Sequence, residues 1–152
     1  MSVPTIPSFF EKDHRRLDAL FENFQNLKQQ DFSEAQSFFK EFKQGLEKHI
    51  LWEEEILFPF FEKKSGISSG PTEVMKQEHS AILKALQAIH QKVAQRDLQT
   101  GAEEKELFEI LMKHNLKEEN VLYPMIETEA SPMEKKEIFK AMDEIHEKRY
   151  SG

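Results

Sequence analysis

The sequence contains an internal repeat with an offset of 65 residues. The segment KHILWEEEILFPF at residues 48–60 returns as KHNLKEENVLYPM at residues 113–125. Each segment has a histidine, a glutamate four residues later and then a proline: His49, Glu53 and Pro59, and His114, Glu118 and Pro124. Four residues of an α-helix rotate by about 40° beyond a full turn, so this histidine and glutamate share one face. The repeat therefore predicts two similar helices, each presenting an imidazole and a carboxylate.

Apolar spacing and capping signals predict that the rest of the chain is helical as well. Ser8 and Ser33 are each followed three residues later by Glu or Gln, and Pro71 and Ser131 also suit helix starts. The predicted helices cover about residues 8–29, 33 to just beyond 59, 71–96, 100–128 and 132–149. This pattern predicts an all-α domain over residues 1–152: an antiparallel up-down four-helix bundle at about 9–128 with an additional C-terminal helix.

In such a bundle four histidines share one level. His14 and His49 are 35 residues apart, and their midpoint falls in the first predicted turn. His79 and His114 are also 35 residues apart, with a midpoint near the predicted turn at residues 97–100. Because the chain climbs and descends equal distances around each turn, we expect four imidazoles and two glutamates to converge in one core layer.

A buried layer of this composition favours metal binding. Two carboxylates without counter-charge cost several kcal/mol each to bury, and neutral imidazoles do not compensate them. A bound cation compensates the charge of the carboxylates. Nitrogen and oxygen ligands without sulfur suit iron, with manganese or zinc as substitutes. The predicted metal ligands are His14, His49, Glu53, His79, His114 and Glu118.

The number of ligands favours two ions. Two six-coordinate ions offer about twelve positions, of which two bridging glutamates fill about four and the histidines about four. An oxo or hydroxo bridge would fill about two more. About one position per ion is then left for a small ligand.

This arrangement of residues resembles the hemerythrin-like HHE cation-binding domain family. The resemblance covers about residues 9–128 and rests on the doubled His-x-x-x-Glu motif followed by LFP and LYP. It implies a di-iron four-helix bundle that binds oxygen, nitric oxide or peroxide, with links in some members to iron sensing or iron–sulfur repair. Oxygen-carrying members have a further histidine where this chain has Leu83, and a His-x-x-x-x-Asp where it has His-x-x-x-Glu.

Charge and composition narrow the class of partner. The net charge of −7 disfavours nucleic acid and anionic membranes, which are bound by clustered Lys and Arg. The chain has no Cys and no apolar run near the length of a membrane span, so we expect a cytoplasmic protein. The expected partners are a small ligand (oxygen, nitric oxide or peroxide) and a redox partner, with the chain itself a monomer or weak homodimer.

Three functions are open on this basis. The favoured one is a protein that binds or senses a small ligand at a di-iron site. The alternatives are an enzyme that reduces peroxide or nitric oxide or donates iron for iron–sulfur repair, and a protein for iron storage. Ferritin-like oxidases are disfavoured, because their Glu-x-x-His repeat is absent.

Residues close to the motifs have structural interpretations. Glu54, Glu55 and Glu119 are expected to be solvated charges on the outer faces, and the alternative is that Glu54 or Glu119 is an auxiliary ligand. Trp52 either lines the site or packs in the core. Two further histidines are expected to be structural or exposed, and the two motif prolines to end or kink their helices: His90, His146, Pro59 and Pro124.

Gly45 lies one turn before His49, where the repeat has Ile110. A glycine inside a helix costs about 0.5–1 kcal/mol relative to alanine, which close helix approach or space for a ligand compensates. One hypothesis is that Gly45 leaves a pocket through which ligands reach the metals, while Leu83 closes the position where oxygen-carrying members of the resembled family place their further histidine. The alternative is tight packing against a Phe of the first helix.

Overall fold

The computed structural model describes residues 4–145, and every regular element among them is helical. The elements in chain order are α1 (Ile6–Leu27), α2 (Phe32–Trp52), π1 (Glu53–Leu57), α3 (Phe58–Ser65), α4 (Pro71–Ala94), α5 (Gly101–Lys117), π2 (Glu118–Leu122), α6 (Tyr123–Glu129) and α7 (Pro132–Asp143). The predicted all-α fold class is confirmed. None of the helices in this described part of the chain is long and apolar enough to cross a membrane.

The first two helices begin earlier than predicted. The side chains of Thr5 and Asp31 cap α1 and α2 by accepting the backbone N–H three residues on, each at 3.1 Å. Both residues have extended backbone, so the chain becomes helical directly after them. The predicted caps at Ser8 and Ser33 are therefore wrong, since both already lie inside the helices. Ser131 does form the predicted capping box.

A π turn follows each His-x-x-x-Glu motif and accommodates the proline after it. The backbone N–H of Phe58 bonds to the carbonyl of Glu53, five residues back, and Tyr123 bonds to Glu118 in the same way. Pro59 then lies in the first turn of α3, the part of a helix where a proline is best tolerated. The helical path continues through Pro59 and ends at residue 65, a few residues later than predicted.

Contacts between α1 and α2 run in opposite chain directions. Phe24 packs against Phe39 with ring centroids 5.2 Å apart, and His14 against His49 at 4.7 Å. The residue number falls by ten on α1 as it rises by ten on α2. These two helices are therefore antiparallel neighbours.

The helices α4 and α5 pair in the same way. His79 lies 4.8 Å from His114 between ring centroids, and Lys92 forms an ion pair with Glu103 at 2.8 Å. Residue numbers again rise on one helix as they fall on the other. The described chain thus forms a helical bundle in which both repeat motifs face the same interior.

Two apolar clusters lie on either side of the four histidines. The cluster towards the α1–α2 turn includes Phe21, Phe24, Phe39, Phe42 and Ile89. The cluster on the other side contains the residues that follow the motifs, among them Phe10, Leu57, Phe58, Tyr123 and Ile126. The histidines and glutamates therefore occupy a polar layer between two apolar clusters.

The C-terminal helix α7 closes the second cluster. Ile138 and Met142 are buried in it, and the Trp52 indole N–H donates to the Met142 carbonyl at 3.1 Å. Trp52 accordingly packs in the core, one of its two predicted roles. The helix ends at Asp143 instead of near residue 149, and His146 lies outside the described residues.

Candidate metal centre

The six predicted metal ligands converge in the polar layer. Glu53 and Glu118 are fully buried, and the four histidines are at most 3% exposed. The ligand atoms form two groups, each with members within 4.8 Å of one another: Glu53, His79, His114 and Glu118, and His14, His49 and Glu118. The structure therefore brings together every residue that the motif singled out, in two adjoining positions that share a carboxylate. Their coordination of metal stays a prediction.

A carboxylate orients each histidine through its Nδ1 atom. The four pairs are 2.7–2.8 Å apart: His14 with Glu119, His49 with Asp13, His79 with Glu54, and His114 with Glu78. An ionised carboxylate only accepts hydrogen bonds, so Nδ1 carries the proton and donates it. The Nε2 atom of each ring is then available towards the centre of the layer, which is how metal-binding histidines are commonly held.

Glu54 and Glu119 are therefore not solvated outer-face charges, and that prediction is wrong. Their side chains are only 27% and 14% exposed, and both contact the Nδ1 side of a histidine. This contact also argues against the alternative of auxiliary ligands, because metal is expected on the Nε2 side. Glu54 and Glu119 each contact a histidine on a neighbouring helix. The apolar pattern of one helix does not show such contacts between helices. Glu55 is exposed, as predicted.

Sequence reasoning missed Asp13 and Glu78. Each directly precedes a ligand histidine, and the two are separated by the repeat offset of 65 residues, which was the available signal. Burial opposes ionisation of both, but their hydrogen bonds to a histidine and to Arg16 or Lys117 lower the pKa of each carboxyl. Both acids are therefore held as carboxylates that accept from imidazole.

Buried atoms lack hydrogen-bond partners on the side of the layer formed by His79 and His114. They are Oε1 of Glu53, Oε2 of Glu118 and Nε2 of His79. Nε2 of His79 approaches Oε1 of Glu53 to 2.9 Å, yet the pair lacks the geometry of a hydrogen bond. Unpartnered buried polar atoms are costly, and a cation between them would satisfy all three. The residues on this side therefore fit a metal ion.

Protons balance part of the charge in the metal-free layer. Burial disfavours charged imidazole, but Glu53 and Asp13 outweigh it and raise the pKa of His49 to about 10. Glu53 and Glu54 likewise overcome burial and raise the pKa of His79 to about 9. The same histidines hold the pKa of Glu53 well below its usual range, although its burial acts in the opposite direction. The layer thus attracts positive charge strongly.

Tyr123 supplies a hydroxyl to the side formed by His14 and His49. Its oxygen donates to Oε2 of Glu53 at 2.5 Å and lies 2.8 Å from Oε1 of Glu118. The same oxygen lies 3.3 Å from Nε2 of both His14 and His49. Burial, followed by the two carboxylates, raises the pKa of Tyr123 well above its usual value. A neutral phenol therefore lies among four of the predicted ligand atoms.

α-Helical periodicity places Tyr123 on the face of the helix that points away from the predicted ligands. For this reason the sequence did not indicate Tyr123 as a site residue. In an α-helix, five residues rotate the chain by about 140° beyond one turn, so Tyr123 would face away from Glu118. The π turn between them closes with a bond over five residues and brings Tyr123 back above Glu118. The sequence shows the LYP segment after the motif. It does not show the π turn, which rotates Tyr123 towards Glu118.

The equivalent residue in the first repeat is Phe58. Its ring stacks on His79, with centroids 5.8 Å apart and planes 9° apart. Phe58 is fully buried and has no atom that could bind a metal or donate a hydrogen bond. The two sides of the layer therefore differ by one hydroxyl.

A small cavity adjoins the layer on the side of the first apolar cluster. Its volume is about 20 Å³, and its polar lining includes all four histidines and Glu53. The apolar lining comes from Leu17, Phe42, Leu46, Ile50, Ile82 and Leu111. About 10–15 Å³ of such space holds one water molecule, so the cavity suits a ligand of two or three atoms.

Gly45 does not leave a pocket beside the layer, and that hypothesis is wrong. A Cβ atom there would lie 2.8 Å from Cδ2 of Leu17 and 3.1 Å from Nη2 of Arg16. The glycine instead permits close approach of α1 and α2, as the alternative held, although the neighbour is Leu17 and not a Phe. Leu83 packs against the first apolar cluster, and His90 is half-buried beside Lys43, away from the layer.

Comparison with known proteins identifies one family. The model of the hemerythrin HHE cation binding domain matches residues 5–126, which is most of the chain. No curated protein and no solved structure gives a match.

Proposed function

The chain belongs to the hemerythrin HHE cation-binding domain family, and from this we propose that it is a non-haem di-iron protein that binds or senses a small ligand. The ligand class is oxygen, nitric oxide or peroxide. A pair of iron ions would supply redox chemistry and an open coordination position. The observation that carries the proposal is the set of unpartnered buried atoms on Glu53, Glu118 and His79, which calls for a cation.

The chain's own residues would hold two ions. His14 and His49 would hold one through Nε2, and His79 and His114 the other. Each carboxylate has one oxygen near each pair: Oε2 of Glu53 lies 3.5 Å from Nε2 of His49, and Oε1 lies 2.9 Å from Nε2 of His79. This placement supports Glu53 as a bridge, and Glu118 is placed in the same way between His14 and His114, at 3.3 and 3.2 Å.

The size of the cavity supports a small ligand. A space of about 20 Å³ beside four histidines excludes an organic substrate. Its apolar walls favour uncharged diatomic molecules over solvated ions, since Asp18 and Asn115 are the only polar residues besides the predicted ligands that line it in the described part of the chain. The layer would therefore select its ligand mainly by size.

The seam between α1 and α5 supplies a route to this cavity. A groove of about 620 Å³ lies along it, and four residues line both the groove and the cavity: Asp18, Phe42, Leu111 and Asn115. Two of them, Leu111 and Asn115, are only half-buried. We propose that small ligands pass between these residues, in place of the route beside Gly45.

The packing described above also supports the finer architecture. Antiparallel contacts link α1 with α2 and α4 with α5, and α7 packs against the end of the layer through Trp52. We propose that these pairs form the up-down four-helix bundle with α7 as the additional helix.

Stopped-flow absorption tests the function. Iron-loaded, reduced protein is mixed with oxygen, nitric oxide or hydrogen peroxide, and iron is counted per chain. We expect about two iron ions and a persistent adduct with one of the three ligands. Steady consumption of the ligand with turnover would show an enzyme instead, and one iron ion or none per chain would contradict the di-iron proposal.

A bulky residue at the inner end of the groove tests the route. Leu111→Trp should slow azide binding to the ferric protein at least tenfold while iron content and fold are retained. Phe108→Trp, at a position that is 53% exposed in the same groove, is the matched control and should leave the rate unchanged. Equal azide on-rates in wild type and Leu111→Trp would show that ligands enter elsewhere.

A further inference from the structure

The Tyr123 hydroxyl lies where the predicted ligands of one ion converge. Four ligand atoms surround it at 2.5–3.3 Å, two imidazole nitrogens and two carboxylate oxygens. Bonds from these atom types to a transition metal are about 2.0–2.2 Å long. An ion held by the same four atoms must therefore lie close to the phenolic oxygen.

The Tyr123 ring is closely surrounded by other side chains. Tyr123 is fully buried, its ring centroid lies 5.0 Å from that of Phe10 and 5.8 Å from that of His14, and its backbone is held by π2. The phenolic oxygen would therefore stay beside the ion. It would either bind the ion or remain a buried polar atom whose present hydrogen-bond partners bind the ion instead. An unmet buried hydroxyl is costly, so coordination is the favourable outcome.

We infer that Tyr123 is a further metal ligand, whose phenolic oxygen coordinates the ion held by His14 and His49. This inference rests on the proposed di-iron function and deepens it. On binding, the O–H bond that now donates to Glu53 breaks, and its proton is released to solvent as the oxygen–metal bond forms.

The consequence is an asymmetric pair of ions. About one position per ion is left after the histidines, the bridging glutamates and an oxo or hydroxo bridge are counted. Tyr123 fills that position on the ion of His14 and His49, whereas Phe58 supplies no ligand to the other ion. Small ligands therefore bind only at the ion of His79 and His114.

Spectroscopy of the unaltered protein gives a direct test. A phenolate bound to ferric iron produces a visible charge-transfer band, and excitation into that band enhances tyrosine ring vibrations in the Raman spectrum. The chain has only two tyrosines, Tyr123 and Tyr150, so the source can be assigned. Ferric protein grown with ring-deuterated tyrosine should show shifted ring vibrations, and Tyr150→Phe should leave band and vibrations unchanged.

The variant Tyr123→Phe completes the test. We expect about two iron ions per chain, a retained helical circular dichroism spectrum and complete loss of the visible band. If this variant does not fold or load iron, the isotope measurement on the wild-type chain still decides the question.

The outcomes separate this inference from the proposed function. Two iron ions per chain without tyrosine vibrations would overturn the inference and leave the di-iron proposal intact. Vibrations that persist in Tyr123→Phe would also overturn it. A wild-type chain that binds no iron would overturn both.

Discussion

The two halves of the repeat build the same support for the predicted metal ligands but differ in what lies beside them. The first half is α1 to α3 and the second is α4 to α6. Each contributes two histidines, one central glutamate and two carboxylates that accept from Nδ1. At one equivalent position, however, the first half has Phe58 and the second has Tyr123. The support is symmetric, whereas the surroundings of the two predicted ion positions are not.

Helix packing differs between the halves as well. Gly45 lets α1 approach α2 closely, while its counterpart Ile110 on α5 has a large side chain that packs against the first apolar cluster. The outer side of α5 leaves Phe108, Met112 and Leu116 about half exposed along the groove. The repeated residues are therefore the predicted metal ligands and their supporting carboxylates, whereas the proposed route for ligands runs along residues that differ between the halves.

The largest effect is expected at the central glutamates, where the halves are alike. Glu53→Gln and Glu118→Gln should each lose both ions, because each removes a bridging charge from between two histidine pairs. Metal analysis should fall from about two ions per chain to less than one in both variants. Loss of a single ion in one variant and of both ions in the other would show that the two glutamates do not have equivalent roles.

The exchange of one hydroxyl should have the next largest effect. Phe58→Tyr places a phenol next to His79, the position that Tyr123 has next to the other pair. We expect azide binding to the ferric protein to be lost, since a tyrosine would then fill the last coordination position of each ion. Tyr123→Phe should bind two azide ions per chain in place of one. An unchanged azide stoichiometry in both variants would show that these positions do not control ligand binding.

Alkaline pH should destabilise the metal-depleted chain. The pKa of His49 is raised to about 10 and that of His79 to about 9 from an unfolded value near 6.5. A raised histidine pKa stabilises the fold fully below the unfolded value, and this contribution is lost as pH rises through the folded value. The loss should be on the order of a few kcal/mol, since one pKa unit equals about 1.4 kcal/mol.

Urea unfolding at pH 7 and pH 10 measures this loss. The variant His49→Gln is the control and should show a smaller difference between the two conditions. Equal unfolding midpoints for the metal-depleted wild type at both values would contradict the prediction.

The carboxylates on Nδ1 should matter less, and equally in both halves. Asp13→Asn and Glu78→Gln keep the side-chain size but weaken the bond that orients the histidine. Such changes typically reduce metal affinity by 10- to 100-fold, about 1.4–2.7 kcal/mol. Competition with a chelator gives the affinity, with Glu55→Gln, on the exposed face, as the control. A tenfold larger effect in one half than the other would show unequal support.

The smallest effect is expected at Gly45. An alanine Cβ would press on Leu17 and Arg16, and this cost opposes the gain of about 1 kcal/mol that alanine brings to a helix. The free energy of unfolding of Gly45→Ala should therefore change by less than about 1 kcal/mol, with iron content and azide on-rates unchanged. A slower azide on-rate would restore Gly45 as part of the route.

What the sequence alone determined is local. A histidine and a glutamate four residues apart share a helix face in any α-helix, and equal distances from a turn bring residues to one level. Those two rules, applied to the repeat and to the histidine spacings, identified six residues that the structure brings together: His14, His49, Glu53, His79, His114 and Glu118. The all-helical fold followed from apolar spacing and capping signals along the chain.

The tertiary structure decided what depends on the rotation of one helix relative to another. The π turn changes the phase of the residues after each motif, so Tyr123 reaches the layer although α-helical periodicity turns it away. Glu54 and Glu119 find their histidines on neighbouring helices, and Gly45 meets Leu17 on α1. Side chains on different helices meet only after packing has set their distance and rotation, and no local period encodes either quantity.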